Sequence, residues 1–208
     1  MPMYIPDHFK ESHPERVAAL IEGYPFGTLV TVHDGQPHVS HLPFLYERHT
    51  GQHGRLSCHL ARANPQWRQL TEGQTVLAIF QGPHGYVSPA WYAAPGVPTW
   101  NYAIAHVYGV ARIIEAAADI SRIVDKLTAV HEARYPIPWQ SNLSEEQWAQ
   151  LPRAIVGLEI DVTEIQGKFK LSQNRSIEDR QRVIDQLRQS PSTIETELAA
   201  LMAAKLQA

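Results

Sequence analysis

The sequence is poor in three features that identify many proteins: cysteine, long apolar runs and excess positive charge. Its 208 residues include one cysteine, Cys58, so an internal disulfide or a thiolate cluster within one chain is excluded. No apolar run approaches the roughly 20 residues that a membrane-spanning helix needs. The N-terminus, MPMYIPDHFKES, lacks the basic and apolar regions of a signal peptide, so we expect a cytoplasmic protein.

Charge and motifs exclude further classes. The formal net charge is −3, which leaves no broad basic surface for nucleic acid. The chain contains no GxGxxG, GxxxxGK[ST] or GxSxG motif, so a Rossmann site, a P-loop and a hydrolase elbow are not indicated. Eleven histidines are many for this length. However, His38 and His41 would point to opposite faces of a strand, and His49 and His53 flank a turn, so we expect no metal site.

Apolar periodicity and turn signals predict a mainly β protein of the α+β kind. Alternation, together with a hairpin turn signal at Asp34-Gly35, predicts six strands, at residues 27–33, 36–47, 55–60, 74–81, 99–115 and 155–165. Helical spacing and caps, among them a capping box of Ser144 with Gln147, predict helices at residues 12–23, 64–70, 119–134, 144–151, 176–188 and 192–206. This order favours a small antiparallel β-barrel with flanking helices. We expect residues 1–175 to form the barrel domain and residues 176–208 a C-terminal helical arm.

The stretch from Val76 to Ile114 carries seven of the eighteen aromatic residues of the chain. Prolines at positions 83, 89, 95 and 98 interrupt it between two predicted strands. Connections of this length are uncommon and are often functional. The aromatic rings of this stretch could bind a planar ligand or a partner subunit, or could simply cover an open end of the barrel.

Two polar segments are candidate anion sites. In GKFKLSQNR, an extended backbone would place Lys168, Lys170, Ser172 and Asn174 on one face, with Phe169 and Leu171 facing the core. Two ammonium groups beside hydroxyl and amide donors suit phosphate, although the segment could also be a solvated strand end.

The second segment, HLARAN, contains an arginine just before a predicted helix start. Arg62 could donate a bidentate pair to phosphate, and the helix beginning at Asn64 would offer free backbone N–H groups. The alternative is an Asn-Pro helix cap beside a surface arginine.

With these residues in view, the chain resembles the PaiB-like proteins, which are described as FMN-binding negative transcriptional regulators. The resemblance runs from Met3 to about Arg175, through MYIPDHF, HLPFLYE, HLARANPQW, FQGPHGYVSPAWY, VPTWNYAIAHVYG and GKFKLSQNR. It implies a six-stranded antiparallel split β-barrel of the FMN-binding type. It also implies a homodimer with FMN at the subunit interface.

The resemblance implies three groups of FMN-binding residues by position. The first lies near the phosphate, the second comes from the aromatic loop, and the third comes from the last strand of either subunit. These residues are His59, Arg62 and Asn64; Trp91, Thr99, Trp100 and Asn101; and Lys168, Lys170, Ser172 and Asn174.

The function implied by the resemblance is that of an FMN-binding transcriptional regulator. The C-terminal helix pair is not a recognition motif for DNA, so direct DNA contact has little support in the sequence. One alternative is an FMN-dependent oxidoreductase, such as a flavin or nitro-compound reductase, although no catalytic acid or base is identifiable. Others are a haem-binding split barrel, suggested by the histidines, and an interaction protein whose aromatic loop closes a dimer.

Overall fold

The computed structural model describes residues 3–71 and 73–207. Over these residues the chain forms eight β-strands: β1 (Lys10–Glu11), β2 (Phe26–His33), β3 (Gln36–Pro43), β4 (Leu45–Glu47), β5 (Arg55–Ala61), β6 (Thr75–Val87), β7 (Thr99–Ile114) and β8 (Ile155–Lys170). Five α-helices accompany them: α1 (Pro14–Gly23), α2 (Ala117–Glu132), α3 (Glu145–Gln150), α4 (Ile177–Arg188) and α5 (Thr193–Gln207).

The strands pair in the order β3-β2-β6-β7-β8-β5-β4, with β1 on β8. The chain divides into two compact units. The terminal unit contains the residues up to Gly23, Gln81–Ala105 and the residues from Gln166 onward; the central unit contains Tyr24–Phe80 and His106–Ile165. β6, β7 and β8 contribute residues to both units.

The terminal unit joins the two ends of the chain. β1 pairs antiparallel with the end of β8, so that Lys10 lies opposite Lys168 and Glu11 opposite Gly167. Helices α4 and α5 pack together, and the core of the unit contains Phe9, Leu20, Ile21, Leu171, Val183, Ile184, Leu187, Leu198 and Met202. The carboxylate of Glu11 is buried, and it fastens β1 to α5 by accepting a hydrogen bond from Lys205 Nζ at 2.9 Å.

The central unit is built around antiparallel pairs. β2 and β3 form a hairpin whose turn residues Asp34 and Gly35 have φ of 50° and 74°, as the predicted Asp-Gly turn requires. β5 pairs with both β4 and β8. Its inward residues Leu56, Cys58 and Leu60 are at most 1% exposed. Helix α2 packs over the opposite face of this region through Ile120, Ile123 and Leu127, which form a cluster with Ile114 of β7.

Most predicted elements are present, and the differences have physical causes. The strand predicted at residues 36–47 is interrupted at Phe44, whose side chain turns into the core and separates β3 from β4. The segment after Asn64 is a 3-10 helix, Pro65–Gln69. The capping box at Ser144 is confirmed, because both of its reciprocal hydrogen bonds are present. The division between residues 1–175 and 176–208 remains a prediction.

The aromatic loop is shorter than predicted, because β6 continues through Pro83 to Val87. Proline prevents a helix, but its fixed φ is compatible with an extended chain. Gly82 allows α1 to approach this strand closely: a Cβ at that position would lie 2.2 Å from Leu20 Cδ1. The connection to β7 is therefore confined to residues 88–98.

Within residues 3–71 and 73–207, no helix combines the length and the apolar character needed to cross a membrane.

Candidate functional site

The end of β8 carries two lysines on one face. Lys168 Nζ donates to the carbonyl oxygen of Tyr4 at 2.9 Å and lies 5.5 Å and 5.6 Å from the ring centroids of Tyr4 and Tyr102. Lys170 Nζ donates to Thr99 Oγ1 and to the carbonyl oxygen of Trp100. The side chain of Phe169, between the two lysines, is buried as predicted.

These two ammonium groups have no acidic partner among the residues that the structure describes, since their polar contacts are neutral oxygens. Burial lowers the pKa of Lys170, and the positive charge of Lys168 lowers it further. A phosphate placed beside both groups would reverse the second effect, because an opposite charge favours the protonated ammonium. The pair is thus a cationic site without a counter-charge in the described chain.

The prediction that Lys168, Lys170, Ser172 and Asn174 share one extended face is wrong beyond Lys170. The strand ends there, and Ser172 adopts a left-handed φ of 62°. Its hydroxyl is buried and accepts a hydrogen bond from Asn101 Nδ2 at 2.8 Å. Asn174 lies exposed in the turn that follows. Ser172 and Asn101 therefore fix the chain direction after β8, because each satisfies the other inside the core.

An aromatic cleft of about 280 Å³ lies in the terminal unit. It is lined by Gln81, His84, Trp100, Tyr102, Ala103 and Ile104. Trp100 is 54% exposed, and its ring centroid lies 6.2 Å from Tyr86 in an edge-to-face arrangement and 6.4 Å from His84. Alternation along β7 points Trp100 and Tyr102 outward while Asn101 and Ala103 are fully buried.

The loop at residues 88–98 is fixed to the segment around α4. The Arg175 guanidinium lies 4.3 Å from the Tyr92 ring centroid and donates to the Pro95 carbonyl oxygen at 3.3 Å. The Ala93 N–H donates to Asp179 Oδ1 at 2.7 Å. Trp91 ends a short 3-10 helix in this loop and is half-buried. The loop is therefore ordered by contacts within its own unit.

The other three predicted residues belong to the central unit, and their side chains have protein partners or lie beneath a helix. Arg62 donates to the carbonyl oxygens of Arg153 and Ile155, both at 3.0 Å, and forms an ion pair with Glu115 at 3.3 Å. It thereby clamps the segment that leads into β8. Three of its five N–H donors are occupied, which leaves less capacity for a phosphate than the sequence suggested.

Asn64 caps the 3-10 helix, as one of the two interpretations of the sequence predicted. Its Oδ1 accepts from the Gln66 N–H at 2.9 Å, and its Nδ2 donates to Ser40 Oγ at 3.0 Å. Gln66 is buried and also donates to Thr31 Oγ1 and to the His38 carbonyl oxygen, both at 3.1 Å. One of the N–H groups expected to be free at this helix start is therefore occupied by the Asn64 cap.

His59 lies on β5 and faces away from the buried side chains of Cys58 and Leu60. Its Nδ1 is buried and has no hydrogen-bond partner within the described residues. Burial lowers the pKa of the imidazole, which is therefore neutral at pH 7.

The predicted site residues thus fall into two groups. Eight lie in the terminal unit, where Lys170, Thr99 and Trp100 are in direct contact and Asn101 contacts Ser172. The predicted FMN contacts did not include His84, Tyr86 or Tyr102, although Tyr86 and Tyr102 belong to the aromatic stretch whose rings were expected to suit a planar ligand. The buried hydrogen bonds of Gln66 to Thr31 and His38 were also not predicted. In a polar segment, the sequence does not distinguish a buried glutamine from an exposed one.

Two lysines without a counter-charge and a nearby aromatic cleft suit a ligand with a phosphate and a planar ring, such as a flavin mononucleotide. An antiparallel sheet with flanking helices and a site of this kind are features expected of flavin-binding split-barrel proteins. The sequence profile of the family described as "Putative FMN-binding domain" matches residues 3–164. The chain belongs to this family, and the predicted fold class and family resemblance are confirmed.

A curated relative extends the match beyond the domain. The chain is 36% identical over 208 residues to "Protease synthase and sporulation protein PAI 2" of Bacillus subtilis, covering 99% of both chains. An uncharacterized protein of Emericella nidulans is 32% identical, with 88% of this chain and 89% of the relative covered. The chain is thus a PaiB-like member of the flavin-binding split-barrel proteins.

Solved structures share the fold at low sequence identity. One is the FAD and heme binding protein from Mycobacterium smegmatis, with 20% identity, 82% of this chain and 78% of that chain covered, and a TM-score of 0.60. Another is described as a putative 5-nitroimidazole antibiotic resistance protein from Bacteroides thetaiotaomicron, with 17% identity, 76% and 85% coverage, and a TM-score of 0.57. These similarities establish the fold alone.

Proposed function

We propose that this protein binds FMN through the terminal unit, with Lys168 and Lys170 at the phosphate and the Trp100 cleft beside the isoalloxazine ring. The observation that carries the proposal is the lysine pair, whose charge no described carboxylate balances. When bound, the flavin supplies electron-transfer chemistry that side chains lack. The contribution of the protein is to bind and orient it.

The lysine pair suits a phosphate ester in its donor capacity. Each ammonium has three N–H donors. The Tyr4 carbonyl oxygen occupies one donor of Lys168, and Thr99 and Trp100 occupy two of Lys170, so donors remain on both. The contacts of Lys170 hold its Nζ at a fixed position, which lowers the entropy lost when a ligand binds.

The aromatic cleft suits the ring system. Trp100 and Tyr102 extend outward from β7, and His84 lies beside them on β6. At about 280 Å³ the cleft is slightly smaller than the range of roughly 300–1,000 Å³ for ligand pockets, so one chain would enclose only part of the flavin. A second subunit would cover the remainder.

For this reason the proposal includes a homodimer. In the central unit, one face of the β2–β3 hairpin exposes apolar side chains: Phe26 is 69%, Val32 53% and Val39 55% exposed. The pairs Val30–Val39 and Val32–Pro37 form an apolar area near the turn, which the polar Thr28–His41 pair separates from Phe26. Apolar faces of this kind are typical of homodimer interfaces. Sedimentation of Val39→Lys should give monomer where the wild type gives dimer; a wild-type monomer at micromolar concentration would contradict this part of the proposal.

A regulatory role and a cytoplasmic location complete the proposal. The regulatory role derives from the family resemblance and from the Bacillus relative, which is named "Protease synthase and sporulation protein PAI 2". The net charge of −3 and the packing of α4 against α5 give no support to direct DNA reading. We therefore propose that regulation acts through the flavin-bound state.

Flavin fluorescence tests the proposal. FMN titrated with wild-type protein should be quenched at saturation, and Trp100→Ala should weaken binding because it removes the largest ring of the cleft. Trp139→Ala is the matched control, since this half-exposed tryptophan belongs to the central unit. Absence of saturable FMN binding by the wild type would refute the proposed function.

A further inference from the structure

Lys170 is a half-buried lysine whose nitrogen contacts no carboxylate among the described residues. Its Nζ donates to Thr99 Oγ1 and to the Trp100 carbonyl oxygen, and it lies 5.8 Å from the centroid of the Phe9 ring. Burial lowers the pKa of Lys170, and the positive charge of Lys168 lowers it further. A lysine that is desolvated beside a second cation supplies more neutral amine than an exposed lysine, and the neutral amine is the nucleophile that forms imines with carbonyl compounds.

The two hydrogen bonds of Lys170 suit the neutral amine as well as the ammonium. The ammonium has three N–H donors, whereas the neutral amine has two donors and one lone pair. Thr99 Oγ1 and the Trp100 carbonyl oxygen take two donors, so these contacts leave the lone pair of the neutral form unengaged. Part of the Lys170 side chain is exposed, so a small molecule can approach it.

Two further lysines lie on the same face of the sheet as Lys170. Lys168 precedes it by two residues on β8, and side chains two residues apart share a face of a strand. Lys10 of β1 is the cross-strand partner of Lys168, so its side chain extends from that face as well. Lys168 Nζ also lies 5.6 Å from the ring centroid of Tyr102, which lines the aromatic cleft. The amine of Lys170 is thus accompanied by two cations, which suit an anionic group, and by an aromatic ring.

We propose that Lys170 reversibly binds a small anionic aromatic aldehyde as an imine at Nζ, with the anionic group at Lys168 and Lys10 and the ring beside Tyr102. The neutral amine attacks the carbonyl carbon, a C–N bond forms, and the carbonyl oxygen leaves as water with the two protons of the amine. No oxidant or reductant is needed, and hydrolysis reverses the step. The inference uses the lysine pair of the proposed flavin site but not the flavin, and it adds a covalent ligand that excludes the FMN phosphate.

The probe is 4-formylbenzoate, and its methyl ester is the counterpart without charge. Each is incubated with the full-length protein in the absence of FMN, the imine is reduced with borohydride, and peptide mapping locates the resulting secondary amine. We expect Lys170 to be labelled ahead of Lys10, Lys126 and Lys205. After division by the rates for Nα-acetyllysine, the carboxylate should label Lys170 about five- to tenfold faster than the ester, the value of one charged contact that is partly exposed to solvent.

Three variants assign the roles within the cluster. Lys170→Arg keeps a cation but has no nucleophilic amine, so the fast phase of labelling seen by intact mass should disappear. Lys168→Met should remove most of the advantage of the carboxylate over the ester. Lys126→Met is the matched control, because the Lys126 ammonium pairs with Glu47 in the central unit, and it should leave the fast phase unchanged. Thermal melting followed by circular dichroism establishes that each variant is folded.

The result separates this inference from the flavin proposal. Labelling spread evenly over the lysines, a fast phase that persists in Lys170→Arg, or equal normalised rates for the carboxylate and the ester would each overturn the imine site. Protein that binds FMN but shows no selective labelling contradicts the imine site alone. Protein that is labelled at Lys170 but does not bind FMN supports the imine site and contradicts the flavin proposal.

Discussion

The buried carboxylate of Glu11 offers a quantitative test of how the terminal unit is assembled. Its side chain is 1% exposed; it accepts from Lys205 Nζ at 2.9 Å and from the His13 N–H at 3.0 Å, and lies 3.6 Å from Arg16. Glu11 also lies opposite Gly167 in the pair that precedes Lys168. Removing its charge should therefore loosen both α5 and the end of β8.

The expected loss of stability follows from the exposure of Glu11 and Lys205. Breaking one side of a fully buried ion pair costs about 3–5 kcal/mol. Lys205 is 25% exposed and can rehydrate, so we expect Glu11→Gln to lower the free energy of unfolding by about 2 kcal/mol. For a chain of this size that lowers Tm by about 4–8 °C. In a double-mutant cycle with Lys205→Met, the coupling energy should be about 1–2 kcal/mol.

The pH dependence has a definite sign. Burial pushes the pKa of Glu11 upward, but the Lys205 and His13 hydrogen bonds and the charges of Lys205 and Arg16 outweigh it, so the net pKa is lowered. A lowered folded-state pKa stabilises above the unfolded value of about 4.3, and this contribution is lost as pH falls through the folded pKa. The difference between wild type and Glu11→Gln in urea unfolding should thus shrink below about pH 4.3. Additive effects in the cycle, or a difference independent of pH, would refute the reasoning.

Two further predictions concern the central unit. Gly54→Ala should lower the free energy of unfolding in urea by about 2 kcal/mol, because the φ of Gly54 is +91° and the new Cβ would lie 2.4 Å from Tyr46 Cε2. Gly51→Ala is the control: its φ is +72° but the space around it is open, so the loss should be smaller. Cys58 is fully buried and burial raises the pKa of its thiol, so maleimide should label the native chain only as fast as it unfolds. Rapid native labelling would contradict this burial.

Local signals in the sequence predicted the elements well because each had a local cause. The Asp34-Gly35 turn, the Ser144 capping box and the alternation along β7 depend on neighbours within a few residues. The C-terminal helices were likewise found within one or two residues of their bounds. The family strings added the split-barrel topology, which periodicity alone does not specify.

The failures came from contacts between residues distant in sequence. Ser172 leaves the extended conformation because Asn101, seventy-one residues away, binds its hydroxyl in the core. Arg62 is occupied by carbonyl oxygens more than ninety residues downstream. Pro83 was interpreted as the start of a loop because the close approach of Leu20 to Gly82 is not visible in the local sequence. Such partners depend on the tertiary fold, so only the structure reveals them.

The ratio of the FMN and riboflavin dissociation constants tests the central claim most directly, since the two ligands differ only in the phosphate. With two charged hydrogen bonds at about 1.5–3 kcal/mol each, discounted for the exposure of Lys168, wild-type protein should prefer FMN by about 10- to 100-fold. Lys168→Met/Lys170→Met should abolish the preference but keep riboflavin binding, and Lys126→Met, a lysine of the central unit whose ammonium pairs with Glu47, should change neither. Equal affinities of the wild type for the two flavins, or an unchanged ratio in the double variant, would contradict the account.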